Sequence, residues 1–132
     1  MDLELKEKTV FITGSTAGIG FATAKALLSE GAIVIINGRT STSVEAAINR
    51  LEQAFPNETI TGLSADFSKQ NEVNSLLENL PKIDILINNV GVYSSGSFFK
   101  TEDAEWYRQF EVNVMSGVRL SRIILPSMLA NN

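Results

Sequence analysis

Short apolar runs alternate along the chain with longer segments whose apolar residues recur every three or four positions. Val10, Phe11 and Ile12 form the first run, which reads as a buried strand and ends at Gly14. Ile19, Ala22, Ala26 and Leu27 then follow a helical period up to Gly31, a helix-stop residue. A second strand-like run, residues 32–36, halts at Asn37-Gly38. Thr42 and Glu45 have the spacing of a capping box and introduce Val44, Ala47, Ile48 and Leu51, a helical stripe ended near Pro56. Residues 59–65 alternate weakly and predict a third strand. Val73, Leu76, Leu77 and Leu80 predict a third helix closed by Pro81, and residues 83–87 a fourth strand with Asp84 inside it. From Thr101 a long helix is expected, with Trp106, Phe110, Val114 and Val118 spaced by four and apolar positions continuing to Leu129. Pro126 is expected to kink or end it. No repeat, low-complexity tract or linker interrupts the pattern.

Continuously apolar strands alternating with amphipathic helices imply a parallel sheet covered on both faces. Right-handed crossovers then restrict the topology to a doubly wound parallel sheet of the Rossmann type, a three-layer α/β/α arrangement with strand order 3-2-1-4. The 132 residues suit a single domain, residues 1–132.

Composition narrows the chemistry. A net charge of −4 gives no general attraction to nucleic acid or to anionic membranes. No apolar run approaches the roughly 20 residues of a membrane span. Residues 1–8 are polar and mixed in charge, unlike a signal peptide, so cytoplasm is the expected compartment. Neither cysteine nor histidine occurs, which removes thiolate nucleophiles, histidine bases and the commonest metal ligands; no metal site is expected. Acid–base chemistry is left to Tyr, Lys, Asp, Glu or a bound cofactor.

Four polar clusters fall at the carboxyl ends of the expected strands, where open α/β sheets gather ligands. The first is Thr13-Gly14-Ser15-Thr16-Ala17-Gly18-Ile19-Gly20, at the joint of strand and helix. A helix N-terminus and glycine-lined backbone favour a pyrophosphate there; a tight turn without a ligand is the plainer alternative. The second is Asn37-Gly38-Arg39-Thr40, at a strand end that should lie beside an adenosine ribose. It has no carboxylate to read a free 2′-hydroxyl, and Arg39 is either a partner for a 2′-phosphate or a solvated turn residue. The third contains Asp66, Phe67 and Ser68, where Asp66 accepts from an adenine amino group or, alternatively, Asp66 or Ser68 caps a helix. The fourth is Asn88-Asn89-Val90-Gly91, positioned to line a nicotinamide ribose or to bridge strands.

These residues resemble those of the short-chain dehydrogenase/reductases. Residues 13–20 match that family's T-G-x-x-x-G-x-G loop, and residues 88–91 match its N-N-A-G with Val90 in place of alanine. Val112-Asn113-Val114 matches the position of its active-site asparagine, on an expected buried helix face. Asn37-Gly38-Arg39 looks like its NADP-preferring strand end. The resemblance covers essentially the whole chain. It implies cofactor contacts from Gly14, Ser15, Thr16, Gly18, Ile19, Gly20, Asn37, Arg39, Asp66, Phe67, Asn89, Val90 and Gly91, a catalytic-type Asn113, NADP in preference to NAD, a carbonyl or alcohol substrate, and a homo-oligomer. Val114, Val118, Ile124 and Met128 are the expected partner-facing residues.

The family's proton donor is a Tyr with a Lys four residues later, and a Ser orients the carbonyl. Here Ser97 and Glu111 stand four residues after Tyr93 and Tyr107, so neither tyrosine starts that motif. Tyr93 reads as substrate-side lining or a surface aromatic, and Tyr107 as packing. The loop around Gly96, with Phe98 and Phe99, reads as substrate entry or as aromatics tucked into the core. The sheet is therefore expected to be incomplete on its C-terminal side, with the Ser, Tyr and Lys in later segments. Two functions follow: the NADP(H)-binding part of a short-chain oxidoreductase, with the chain alone inactive, or a non-catalytic dinucleotide- or partner-binding module.

Overall fold

The computed structural model describes residues 2–131. The elements run β1 (Thr9–Ile12), α1 (Gly18–Ser29), β2 (Ile33–Gly38), α2 (Ser41–Ala54), β3 (Ile60–Ser64), α3 (Gln70–Asn79), β4 (Ile85–Ile87) and α4 (Asp103–Phe110); a π-helical segment (Glu111–Met115) then leads into α5 (Ser116–Ala130). The four strands are parallel in the order β3-β2-β1-β4. Val10 pairs with Val34 on one side and Ile85 on the other, and Phe11 with Ile35 and Leu86.

Strand side chains alternate between the faces, and the sheet thereby divides the core in two. Val10, Ile12, Val34 and Ile36 pack with Ala24 and Leu28 of α1 and with Ala47 and Leu51 of α2. Phe11 and Ile35 point the other way, onto Val73 and Leu76 of α3, Val112, and Leu120 and Ile124 of α5. This is why residues 10–12 of β1 and 33–36 of β2 are all apolar: both faces are covered, and an unpaired polar group there would cost about 1–3 kcal/mol.

Four local expectations change. Asp84 lies outside β4. Its carboxylate accepts from the backbone N–H of Thr9 at 2.9 Å, and its own N–H donates to the Thr9 carbonyl, also at 2.9 Å, so it closes the start of the β1–β4 ladder. Helix α2 begins earlier than the Thr42–Glu45 spacing implied: Thr40 is its N-cap and accepts from the Ser43 N–H at 3.2 Å. Helix α5 continues through Pro126 to Ala130; Arg122 and Pro126 are both exposed, so water can satisfy the carbonyl that the proline leaves without a donor.

The largest change concerns the long helical region. Val114 and Val118 are exposed, as expected of partner-facing residues, and so are Trp106 and Phe110 (40–56% for the four), while the buried stripe is Val112, Ser116, Leu120 and Ile124. Both stripes step by four and lie two residues apart, on opposite sides of the helix. The true one was hidden by Ser116, whose hydroxyl donates to the Val112 carbonyl at 2.5 Å and so sits in the core satisfied. Ile124, expected to face a partner, belongs to the core.

Candidate functional site

The carboxyl ends of all four strands open into one cleft of about 870 Å³. Its floor is the glycine loop, and that loop is held by side chains whose hydrogen bonds are spent within the protein. Thr13 is fully buried at the end of β1, and its hydroxyl oxygen accepts from the N–H groups of both Asn89 and Val90 at 2.9 Å. Ser15 is equally buried: its hydroxyl donates to the Ile12 carbonyl at 2.7 Å and accepts from the Asn37 N–H at 2.9 Å. Asn37 answers with its side chain, accepting from the Gly14 N–H at 3.0 Å and donating to the Leu63 carbonyl at 3.0 Å. The Asn89 amide donates to the carbonyls of Thr13 and Gly14, at 3.0 and 2.9 Å.

Ser15 thus turns away from the cleft it was expected to serve, and the Asn37 and Asn89 amides act as struts that fix the loop. Thr13 is the hub that sequence reasoning passed over; the signal was a hydroxyl directly after the apolar run of residues 10–12.

The three loop glycines answer different demands. At Gly14 the backbone is left-handed (φ +60°), and an added Cβ would lie 2.9 Å from Cα of Val90. At Gly20 a Cβ would meet the Asn89 amide nitrogen and the Gly14 carbonyl at 2.6 Å. Gly18 is also left-handed (φ +57°), but a Cβ there would point into open space. Two of the glycines are therefore required by internal packing, and Gly18 by its backbone conformation alone.

Helix α1 presents its N-terminus to this loop. Ala17 precedes it and supplies no side-chain cap, and the first turn carries no acidic residue. The leading N–H groups are left without intrahelical acceptors, and the helix dipole adds partial positive charge, a combination suited to an anion. Ile19 sits beside it, 79% exposed, and lines the cleft.

Arg39 follows β2, exposed on the cleft wall. Among the described residues it has no carboxylate within salt-bridge distance. Asp66 stands on the same wall. Its Oδ1 accepts from the hydroxyl and the N–H of Ser68, at 2.7 and 2.9 Å, and that hydroxyl chiefly holds the carboxyl below its usual range. Asp66 is not the cap of α3, which begins at Gln70 with Lys69 before it and no side-chain cap. Phe67 is buried in the core against α3 and α5, so its ring is packing that backs the wall.

At the other end, Val90, Gly91, Val92 and Tyr93 line the cleft after β4. Asn113 is exposed, against expectation, and lies in the π-helical segment. Its amide clasps Val92 in both directions, accepting from its N–H at 2.7 Å and donating to its carbonyl at 2.9 Å. A second tie holds the loop further on. Ser94 donates to Glu105 at 2.6 Å, and Arg108 grips the same carboxylate with two bonds of 2.9 Å. Those Arg108 bonds, with help from Ser94, lower the Glu105 carboxyl to about 2.

Lys69 and Arg108 also line the cleft, and neither was singled out from sequence; Val112, beside Asn113, lines it too. Tyr107 is 72% exposed, so it is not a packing residue. Phe98 and Phe99 are exposed as well; they stack edge-on with each other, and Phe98 does so with Trp106, outside the core. Among the described residues no cluster of acidic side chains could hold a metal ion, and no helix is long and apolar enough to cross a membrane.

Comparison with known proteins bears on this geometry. The family model described as short chain dehydrogenase matches residues 8–132. YvrD of Bacillus subtilis (strain 168), described as an uncharacterized oxidoreductase, is 50% identical over all of this chain and half of its own length. YvaG of the same organism, described likewise, is 43% identical over 98% of this chain and 49% of its own. Among solved structures, L-sorbose reductase from Gluconobacter frateurii, complexed with NADPH and L-sorbose, superposes with a TM-score of 0.90 at 30% identity, covering 99% of this chain and 51% of that one. The chain spans about half the length of the relatives it matches.

Proposed function

The chain belongs to the short-chain dehydrogenase/reductase family, and from that premise we propose that its cleft holds NADP(H) in preference to NAD(H), as the cofactor-binding part of an enzyme acting on a carbonyl or alcohol. The observation that carries the preference is Arg39, a cation on the cleft wall at the end of β2 that has no carboxylate paired to it among the described residues. The groups in the cleft fit such a cofactor. The uncapped N-terminus of α1 beside Gly18 and Ile19 would take the pyrophosphate, Arg39 and Thr16 the adenosine ribose and its 2′-phosphate, and Asp66 the adenine edge. Asn89, Val90 and Gly91 would line the nicotinamide ribose. When bound, the nicotinamide supplies or accepts the hydride.

Arg39→Asp removes a charge-assisted contact and adds repulsion, so NADP(H) affinity should fall by about 10- to 100-fold while NAD(H) affinity changes little. Calorimetric titration of both cofactors into parent and variant reads this. Equal binding of NADP and NAD by the parent defeats the preference.

The proton that accompanies the hydride needs a donor tuned toward neutrality, which a free tyrosine with pKa near 10 is not. Neither tyrosine of the chain has a lysine four residues on, and there is no histidine. This observation favours a second reading for the chain by itself, a dinucleotide-binding module without catalysis. The 132-residue chain should bind cofactor yet show no NADPH oxidation with a panel of ketones and aldehydes; steady turnover by a chain of verified mass would overturn that. In the whole enzyme Asn113 would act by fixing Val92 and the loop behind it beside the nicotinamide, and Asn113→Ala should then lower kcat more than cofactor affinity. The exposed stripe of Trp106, Phe110, Val114 and Val118 would face a second copy of the chain.

A further inference from the structure

Gly38 closes β2, is buried, and lines the cleft. Its backbone is outside the left-handed region, so conformational freedom does not explain the glycine. Space does. A Cβ at this position would lie 2.5 Å from Cγ2 of Thr16, 3.0 Å from Oγ of Ser43 and 3.3 Å from Cγ2 of Val44. A side chain at 38 would therefore head between the glycine loop and the first turn of α2, into the stretch of wall formed by Thr16, Thr40 and Ser43.

These neighbours differ in how far they can yield. The Ser43 hydroxyl donates to the Thr40 carbonyl at 2.9 Å and accepts from the Thr40 hydroxyl at 3.0 Å, which anchors it. Val44 is buried in the packing of α2. Thr16 makes the closest approach, and its branched Cβ carries two heavy atoms, so rotation about χ1 mostly exchanges one obstacle for another.

The end of β2 is where a carboxylate reads the ribose 2′-hydroxyl in dinucleotide-binding sheets. Of the residues there, Asn37 spends its side chain on Gly14 and Leu63, and Arg39 lies past the strand in solvent. Position 38 is the one that remains. We propose that Thr16 is a specificity-determining residue: its methyl group fills the volume over Gly38, bars a ribose-reading carboxylate from the end of β2, and leaves Arg39 to set the charge of that subsite.

The proposal rests on the NADP(H) reading above, and its test separates the two. Parent, Gly38→Asp, Thr16→Ala and the double variant are titrated with NADP and with NAD. Gly38→Asp alone should weaken both cofactors about tenfold or more, because the new side chain displaces Thr16 from the cleft wall. Thr16→Ala/Gly38→Asp should bind NAD about tenfold more tightly than Gly38→Asp does, and more tightly than it binds NADP. Gly38→Ala is melted without cofactor, alone and combined with Thr16→Ala. The single variant should melt below the parent, and the second substitution should restore most of the loss. The proposal is overturned if Gly38→Asp alone gains NAD binding equal to that of the double variant, or if Thr16→Ala fails to restore the melt. A parent that binds NAD as tightly as NADP would defeat the cofactor reading instead, with the melts still deciding whether Thr16 holds position 38 closed.

Discussion

Gly20→Ala should melt about 10 °C or more below the parent, for the sake of one methyl group. Gly20 is buried in the first turn of α1, where alanine would ordinarily favour the helix. The added Cβ would stand 2.6 Å from the Gly14 carbonyl oxygen, 2.6 Å from the Asn89 amide nitrogen and 2.9 Å from Cα of Ser15. Two of these are backbone atoms. The third is a side chain already bonded to the carbonyls of Thr13 and Gly14. Yielding to the methyl means lifting α1 off the loop or breaking those bonds, at about 3 kcal/mol. Gly18→Ala is the control. Its Cβ enters open space, so only the left-handed backbone penalty of about 1–2 kcal/mol applies. Thermal melts of both variants, without cofactor, rank the two positions. Equal losses would mean that the helix–loop contact at Gly20 is not tight.

The same loop shows how far a sequence can be read. Its glycines, the apolar runs before them and the βα alternation determine a parallel doubly wound sheet, because only that arrangement buries continuously apolar strands on both faces. The strand order β3-β2-β1-β4 follows from handedness. The loops could be placed at the strand ends for the same reason. What could not be read is which polar atom of each cluster faces outward. Ser15, Asn37 and Asn89 are donor–acceptor residues in a ligand-binding loop, and in sequence they look like ligands. In the fold they bond backbone groups of the loop and the adjoining strand ends, because a loop this close to the sheet has buried N–H and C=O groups of its own to satisfy.

The long helix fails differently. Periodicity fixes a helix but not its buried side when apolar residues occupy both. Ser116 in the core and Trp106 and Phe110 in solvent reverse the ordinary expectation, and no composition rule would have chosen between the two stripes. Asn113 was assigned to the wrong side for the same reason. Its exposed amide reaches Val92 across 21 residues of sequence, a contact that local pattern cannot encode.

Asn37→Leu should leave the chain folded at low temperature and yet cut cofactor affinity about 30-fold or more. The side chain is 1% exposed, and leucine shares its branching while being bulkier, so the fold is kept at some cost in packing. What is lost is the acceptor for the Gly14 N–H and the donor to the Leu63 carbonyl. Each orphaned group costs about 1–3 kcal/mol, which should lower Tm by roughly 10 °C. The effect on binding has a separate cause. Gly14 is held in a left-handed conformation by bonds from two sides, from Asn37 to its N–H and from Asn89 to its carbonyl. With one side released, the loop must be ordered at the moment of binding, and the affinity drops by the share of molecules in which it is already in place. Asn37→Asp gives a sharper form of the experiment. It keeps an acceptor toward Gly14 but loses the donor to Leu63 and buries a carboxylate against that carbonyl, so it should cost more stability than leucine does while retaining more of the binding relative to that loss. Melts and titrations on both variants, with amide exchange at Gly14 as the local probe, decide it. Unchanged affinity in folded Asn37→Leu would mean that the loop holds its shape without the strut.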